Sequence, residues 1–255
     1  MEARHEYLLH LADNALVLGH RNSEWCGHGP ELEQDIALTN VSLDLLGQAR
    51  LLYQHAADGI GDGATEDTLA FLRDASDYRS LVLLELPRGD WGLTLLRQYL
   101  FSEFSLLQYG ALQGSADKQL AAIAAKAIPE VTYHRRWARD WVIRLGDGTD
   151  ESHARMESAL ATLQPHLAEL FRPADFEYAV TETGIGIDPS TLRSEWTLRV
   201  RQTLDEADLA ADFSILMTPS YGTGMDGKNG YHTEDLVDLL AEMQTLQRTY
   251  PGNEW

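Results

Sequence analysis

The chain has 255 residues, 44% of them apolar and 24% charged, an ordinary globular balance with enough length to bury a substantial core. Forty Asp and Glu against 20 Lys and Arg give a net charge of −20. Such a surface repels phosphate backbones and anionic membranes, so neither nucleic acid nor a membrane is expected as a partner; Arg135, Arg136 and Arg139 form a local basic spot. A single cysteine, Cys26, excludes an intrachain disulfide and a four-cysteine metal site, and points to a reducing, cytoplasmic setting. The start, Met-Glu-Ala-Arg-His-Glu-Tyr, lacks the basic-then-apolar pattern of a signal peptide, and no apolar run approaches the roughly 18 residues of a spanning helix.

Helical periodicity dominates. A first helix is predicted over Tyr7–His20. Residues Glu31–Ala57 form a longer one, apolar on most faces and therefore buried, and Gly59, Gly61 and Gly63 end it. Thr65 is a plausible N-cap for a third helix reaching about Leu86, where Pro87-Arg-Gly-Asp turns the chain. Trp91–Leu112 and Lys118–Leu145 follow; Pro129 predicts a kink or a break in the second of these. Glu151–Phe171, Asp175–Thr183 and Leu192–Ala207 are further helices, with Asp188 or Ser190 capping the last. An irregular stretch spans about Met217–Gly230 before a final helix, Thr233–Tyr250, with Leu236, Leu239, Leu240, Met243 and Leu246 at helical spacing. Strand signals are nearly absent, and no repeat or linker divides the chain, so one all-α domain over residues 1–255 is expected.

Four acids stand alone on apolar helical stretches: Asp13, Asp44, Glu103 and Glu130. A di-iron four-helix bundle takes one carboxylate from each of two helices and Glu-x-x-His from each of the other two. Here the positions three residues after Asp44 and Glu130 are Gly47 and Tyr133, so the acids stand without the histidines. The spacing admits two readings. In one, the acids point into the core, where a carboxylate must be paired, protonated or metal-bound. In the other, each sits at the edge of its apolar face and touches water. His134 lies one turn from Glu130 at i, i+4, about 100° from the ligand position of the motif. If the acids are buried, basic or hydroxyl groups such as Tyr133 or Arg135 are the expected counter-groups.

Gly222-Thr-Gly-Met-Asp-Gly-Lys-Asn matches a phosphate-loop pattern, but Asn229 stands where Ser or Thr binds magnesium, and no βα alternation surrounds it. A flexible or partner-contacting loop is the favoured reading. Cys26 and His28 have no second Cys-His unit, and Trp137 and Trp141 read as core or interface.

Several segments together resemble a known family. Glu24-Trp-Cys-Gly-His-Gly-Pro-Glu-Leu-Glu, the run from Asp35 through Asp44 to Arg50, Glu66-Asp-Thr-Leu-Ala-Phe-Leu-Arg-Asp, Arg144-Leu-Gly-Asp-Gly-Thr-Asp, and the tail from Leu240 to Pro251-Gly-Asn-Glu-Trp are similar to the C-subunit family of the bacterial ring 1,2-phenylacetyl-CoA epoxidases. The likeness covers nearly the whole chain. It implies a ferritin-like bundle and a structural, non-catalytic role, with no cofactor in this chain. It implies a catalytic A-type partner that holds a di-iron site and binds the CoA thioester. A reductase subunit, contacting this chain only indirectly, carries flavin and an iron–sulfur cluster. The complex adds one oxygen atom across the aromatic ring in phenylacetate breakdown. Asp13, Asp44, Gly47, Glu103, Glu130 and Tyr133 are then the relic of the metal site, with no catalytic, cofactor or metal residue left. A homodimer is a further expected assembly. The competing readings are an active di-iron oxygenase with an altered ligand sphere and a helical interaction protein outside this family.

Overall fold

A computed structural model describes residues 2–217 and 225–253. Among these, ten α-helices and a few short 3-10 turns carry the chain: α1 (Ala3–Ser23), α2 (Leu32–Ile60), α3 (Glu66–Phe71), α4 (Val82–Glu85), α5 (Trp91–Leu112), α6 (Lys118–Gly146), α7 (Asp150–Leu163), α8 (Asp175–Glu182), α9 (Arg193–Glu206) and α10 (Glu234–Thr249). No strand occurs among the described residues; Asp226 and Tyr231 form an isolated bridge.

The four long helices make the bundle. α1 pairs with α2, and α5 with α6, as two helical hairpins. Three side-chain contacts join α2 to α6: Trp137 to Gln34 at 3.3 Å, His134 to Asp44 at 2.9 Å, and Gln48 to Glu130 at 2.8 Å. The numbers rise along α2 as they fall along α6, so these two helices run antiparallel. α1 and α5 form the inner pair. Tyr7–Gly19 and Thr94–Ser105 are buried on every face, as helices apolar all round must be. α2 and α6 are buried on one face only. In α2 the inward set is Leu38, Val41, Leu45, Gln48, Leu52 and Ala56, a 3.6-residue stripe. Each leucine fully removed from water stabilises the fold by about 2 kcal/mol before entropy is counted.

Local chemistry fixes the helix starts. The Asp90 carboxylate accepts from the Leu93 N–H, Asp117 from Gln119 and Leu120, Thr149 from Ser152, and Thr233 from Leu236. Asp117 does more, since its second oxygen lies 2.9 Å from both Arg4 and His55 and so joins the start of α6 to α1 and α2.

Two elements differ from the sequence reading. The helix expected from Thr65 to Leu86 begins as predicted, with Thr65 and Thr68 in a capping box, but α3 ends at Phe71. Residues 72–81 are irregular apart from one 3-10 turn, and α4 is a single turn. The reason is distant competition for the backbone. The N–H groups of Arg79, Leu81 and Val82 donate to Asp13, Asn14 and Glu169 at 2.7, 2.8 and 2.8 Å instead of to carbonyls four residues back. Pro129, by contrast, does not break α6, which is continuous from Lys118 to Gly146. Pro129 and Ala125 both lie exposed, so water can serve the carbonyl that the proline leaves unpaired. The stretch Glu151–Phe171 is helical to Leu163 and continues as 3-10 turns through Pro165.

The 225–233 segment presses against the 72–85 segment. A Cβ on Gly227 would lie 1.9 Å from the Ser80 carbonyl oxygen, so only glycine allows the two backbones to meet. Gly227→Ala is expected to destabilise the chain by about 2–4 kcal/mol, lowering the melting temperature by roughly 5–15 °C. Thermal unfolding followed by circular dichroism checks this, and an unchanged melting curve would contradict the close approach.

Candidate functional site

The centre of the bundle is the place a ferritin-like metal pair would sit, because four helices converge on it. It holds a cavity of about 10 Å³, the room one water needs. Leu45 and Gln48 of α2 face it, as do Val131 and His134 of α6, each pair three residues apart. Asn14 of α1 and Gln98, Ser102, Ser105 and Gln108 of α5 complete its polar lining. No Asp or Glu lines it. The Gln98 amide donates to Ser102 at 2.8 Å, and Asn22 donates to Gln98 at 2.6 Å, so amides and hydroxyls tie α1 to α5. The Gln108 side-chain nitrogen has no partner among the described residues and is a ready donor to a water in the cavity.

None of the six positions read as metal-site relics lines this centre. Asp13 is fully buried but meets α2 and the 72–81 segment instead. It accepts from the Tyr53 hydroxyl, from both terminal nitrogens of Arg73, and from the Arg79 N–H at 2.7 Å. Glu103 is also fully buried. It receives Arg135 at 2.6 Å and Arg199 at 3.1 Å, which places it between α6 and α9. Asp44 is 38% exposed and holds His134 from the outer side of α2. Glu130 is half-buried and accepts from Gln48. Gly47 and Tyr133 are exposed. The four acids therefore belong to separate contacts and do not converge. Among the described residues no group of three or more His, Cys, Asp or Glu is placed to hold a metal ion.

The register explains the difference. Consecutive helical residues point about 100° apart, so a frame shifted by one residue turns a core position outward. The i, i+3 pairs that do face the centre are Leu45 with Gln48 and Val131 with His134, one residue beyond the pairs Asp44–Gly47 and Glu130–Tyr133. At these inward positions α2 presents leucine and glutamine, and α6 valine and histidine. The imidazole already meets Asp44. Of the anticipated counter-groups, Arg135 does serve Glu103, whereas Tyr133 has an aromatic contact, His134, in place of a charged one among the described residues. Arg73 and Tyr53, the partners of Asp13, escaped the sequence reading. Tyr53 is one of the inward apolar positions of α2, and only the break after Phe71 brings Arg73 back to the bundle.

A second polar assembly lies under the irregular segments. Glu85 accepts from the Thr233 N–H and hydroxyl, both at 3.0 Å, from Ser80 at 3.2 Å, and meets the His232 ring. Burial works against protonating His232, but the hydrogen bond and charge of Glu85 outweigh it and raise its pKa. Glu177 holds the Lys228 ammonium at 2.8 Å and accepts from the Ala174 N–H. Lys228 is 2% exposed and also donates to the Arg172 carbonyl, so the lysine of the phosphate-loop pattern is a structural plug. Gly222, Thr223 and Gly224 of that pattern lie outside the described residues. Glu169 accepts from the Val82 and Gly227 N–H groups, each at 2.8 Å; burial nevertheless pushes its carboxyl up to about 7.

A model of the family described as phenylacetic acid catabolic protein matches residues 1–255. The chain belongs to the phenylacetic acid catabolic protein family. Its architecture is the ferritin-like all-α fold of that family. The C-subunit of the 1,2-phenylacetyl-CoA epoxidase of Escherichia coli (strain K12) is 47% identical to it over 249 residues, which cover 98% of each chain. Among the described residues of this phenylacetic acid catabolic protein, no helix is long and apolar enough to cross a membrane.

Two outcomes follow for its buried charges. Removing one partner of Asp13–Arg73 strands the other in the core. Asp13→Leu and Arg73→Met are each expected to cost about 3–5 kcal/mol. The double variant should cost less than the sum by about 1–3 kcal/mol, read from a double-mutant cycle in denaturant. Strict additivity would show that the two do not interact. For Glu169, the folded-state pKa lies above the unfolded value of 4.5, so its stabilising contribution is present below about 4.5 and lost as pH rises through about 7. The loss amounts to about 3 kcal/mol. Glu169→Gln removes this titration, and the melting temperature of the variant should gain on wild type by roughly 5–10 °C between pH 5 and pH 8. Parallel pH profiles for the two would contradict it.

Proposed function

We propose that this chain is the structural C-type subunit of a 1,2-phenylacetyl-CoA epoxidase, binding and stabilising a di-iron catalytic subunit in phenylacetate breakdown. The observation that carries the reading is the lining of the bundle centre. A di-iron pair needs carboxylates and imidazoles converging on one point. Here that point is met by leucine, valine, amides, hydroxyls and a single imidazole that is already hydrogen-bonded. The donor set does not fit the metal pair. The likeness to a protein named as one subunit of an epoxidase supports the assembly half of the reading, since a subunit has partners. In this reading oxygen activation and CoA-thioester binding belong to the catalytic subunit, and electrons reach that subunit from a flavin and iron–sulfur reductase. This chain contributes a rigid helical surface.

The purified chain, loaded with ferrous iron and desalted, is expected to retain less than about 0.1 iron per chain, because leucine and valine at 45 and 131 offer no ligand. It should copurify with the catalytic subunit when the two are expressed together. Two irons per chain by metal analysis, with oxygen-dependent turnover by the chain alone, would instead support the active-oxygenase reading.

A further inference from the structure

An aspartate or asparagine followed by glycine is chemically vulnerable. With no Cβ in the way, the glycine nitrogen reaches the side-chain carbonyl carbon of the residue before it. The chain has five such pairs: Asp58-Gly59, Asp62-Gly63, Asp147-Gly148, Asp226-Gly227 and Asn229-Gly230. From residue type alone Asn229-Gly230 is the most reactive, since ammonia leaves an amide more readily than water leaves a carboxyl.

The fold holds four of the five. Gly230 donates its N–H to the Gly227 carbonyl at 3.0 Å, and the Asn229 amide donates to Asp226 at 3.0 Å. A Cβ on Gly230 would lie 2.4 Å from the Ser76 carbonyl oxygen, so its backbone has no room to turn. Gly227 is buried and donates to Glu169 at 2.8 Å. Gly59 lies inside α2 and against the His5 ring. Asp147 is exposed, but Gly148 is wedged into the turn before α7. A Cβ there would lie 2.7 Å from the Arg144 carbonyl and 2.6 Å from the Ser152 hydroxyl.

Asp62-Gly63 is different. It forms the centre of the turn from α2 to α3, which closes on one backbone hydrogen bond, Ala64 N–H to the Gly61 carbonyl at 2.9 Å. Gly61, Asp62 and Gly63 are all exposed, and a Cβ on either glycine would meet nothing within 4 Å. Among the described residues neither the Asp62 carboxylate nor the Gly63 N–H has a hydrogen-bond partner. Asp62 also sits at φ +51°, in the left-handed region that L residues occupy at a cost. Rotation about Asp62 therefore relieves strain, whereas at the other four pairs it breaks a hydrogen bond or meets a wall.

We infer that Asp62-Gly63 is a modification site of the folded chain, at which the peptide bond migrates from the α-carboxyl to the side-chain carboxyl of Asp62. The Gly63 nitrogen loses its proton and attacks Cγ of Asp62. One carboxyl oxygen departs as water, and a five-membered succinimide closes. Water then adds to one of the two ring carbonyls. Opening at Cγ restores aspartate. Opening at the backbone carbonyl leaves isoaspartate, with Cβ in the main chain and the α-carboxylate as the side group. One water leaves and one returns, no electrons are transferred, and the charge is unchanged. Because the turn packs against nothing, the longer backbone is accommodated and modified molecules stay folded. This inference does not depend on the proposed function.

The test is storage of the purified full chain at neutral pH, well below its melting temperature, for several weeks. Peptide mapping by mass spectrometry then locates isoaspartate. It is expected at 62 before 58, 147 or 226, with a melting curve close to that of fresh protein. Asp62→Glu needs a six-membered ring and should lose the signal at 62. Asp62→Asn places the same Asn-Gly chemistry at 62 and 229 of one molecule. In the folded variant position 62 should deamidate about tenfold or more faster than Asn229, since breaking one hydrogen bond before attack costs roughly a decade in rate. In concentrated urea the two rates should converge. Melting curves verify that both variants fold. Equal rates at 62 and 229 in the folded variant overturn the inference, as does isoaspartate appearing first at 147. If 62 leads by the same factor in urea, local sequence and not the fold selects the site, and the inference is likewise overturned.

Discussion

The fold depends on buried carboxylates that hold backbone N–H groups. A bundle of apolar helices can satisfy only the backbone inside each helix. Irregular segments laid on it bring amides that need acceptors, and a buried amide without one costs the desolvation of that group. Asp13 accepts from Arg79, Glu85 from Thr233, Glu169 from Val82 and Gly227, and Glu177 from Ala174. Each of these acids also answers a cation, a hydroxyl or an imidazole or lies close to one. The 72–85 and 225–233 segments are thereby fixed to α1, α8 and the turns after α7. This explains how these irregular segments can lie over the bundle with Lys228 fully enclosed.

The bundle centre uses a different solution. Its polar groups are amides, hydroxyls and the His134 imidazole, and two of its contacts reach carboxylates, Gln48 to Glu130 and His134 to Asp44. Asn22, Gln98 and Ser102 form a short chain of hydrogen bonds between α1 and α5, while Gln48 reaches Glu130 and Asp44 reaches His134 between α2 and α6. Such contacts fix helix register at little electrostatic cost, because an amide leaves no net charge behind in the core. A metal pair does the same job in bundles that possess one. Here side-chain hydrogen bonds between α1 and α5 and between α2 and α6 do that job.

The long helices were legible because their apolar residues recur at helical spacing, and Trp91–Leu112 has the bounds the sequence predicts. The all-α class followed from the same periodicity. The 65–86 region was not legible, since the groups that unwind it, Asp13, Asn14 and Glu169, lie some 65 to 90 residues away in either direction. The lone acids on apolar faces left burial and a water edge both open; Asp13 and Glu103 take the first, and Arg135, one of two anticipated counter-groups, meets Glu103. The register of the centre could not be read from acids alone, because it is marked by what the apolar stripe contains. Gln48 lies in line with Leu38, Val41, Leu45 and Leu52, and an amide in that line is the signal that a core-facing position is polar. Searching for carboxylates led one residue away from it.

The enclosure of Lys228 and His232 has a consequence for how the chain is made. Glu85, Glu169 and Glu177 are synthesised well before the residues that complete their environments, which come from Gly227 to Thr233. A ribosome adding about 5–20 residues per second exposes these acids for seconds before residue 233 emerges. During that interval they remain hydrated, and the surface they will occupy stays open. Each of the two hairpins of the bundle pairs helices adjacent in sequence and can form first. Closure of the molecule is therefore a late event, set by arrival of the last tenth or so of the described chain, and a nascent chain halted before that point would carry its future interior acids to water.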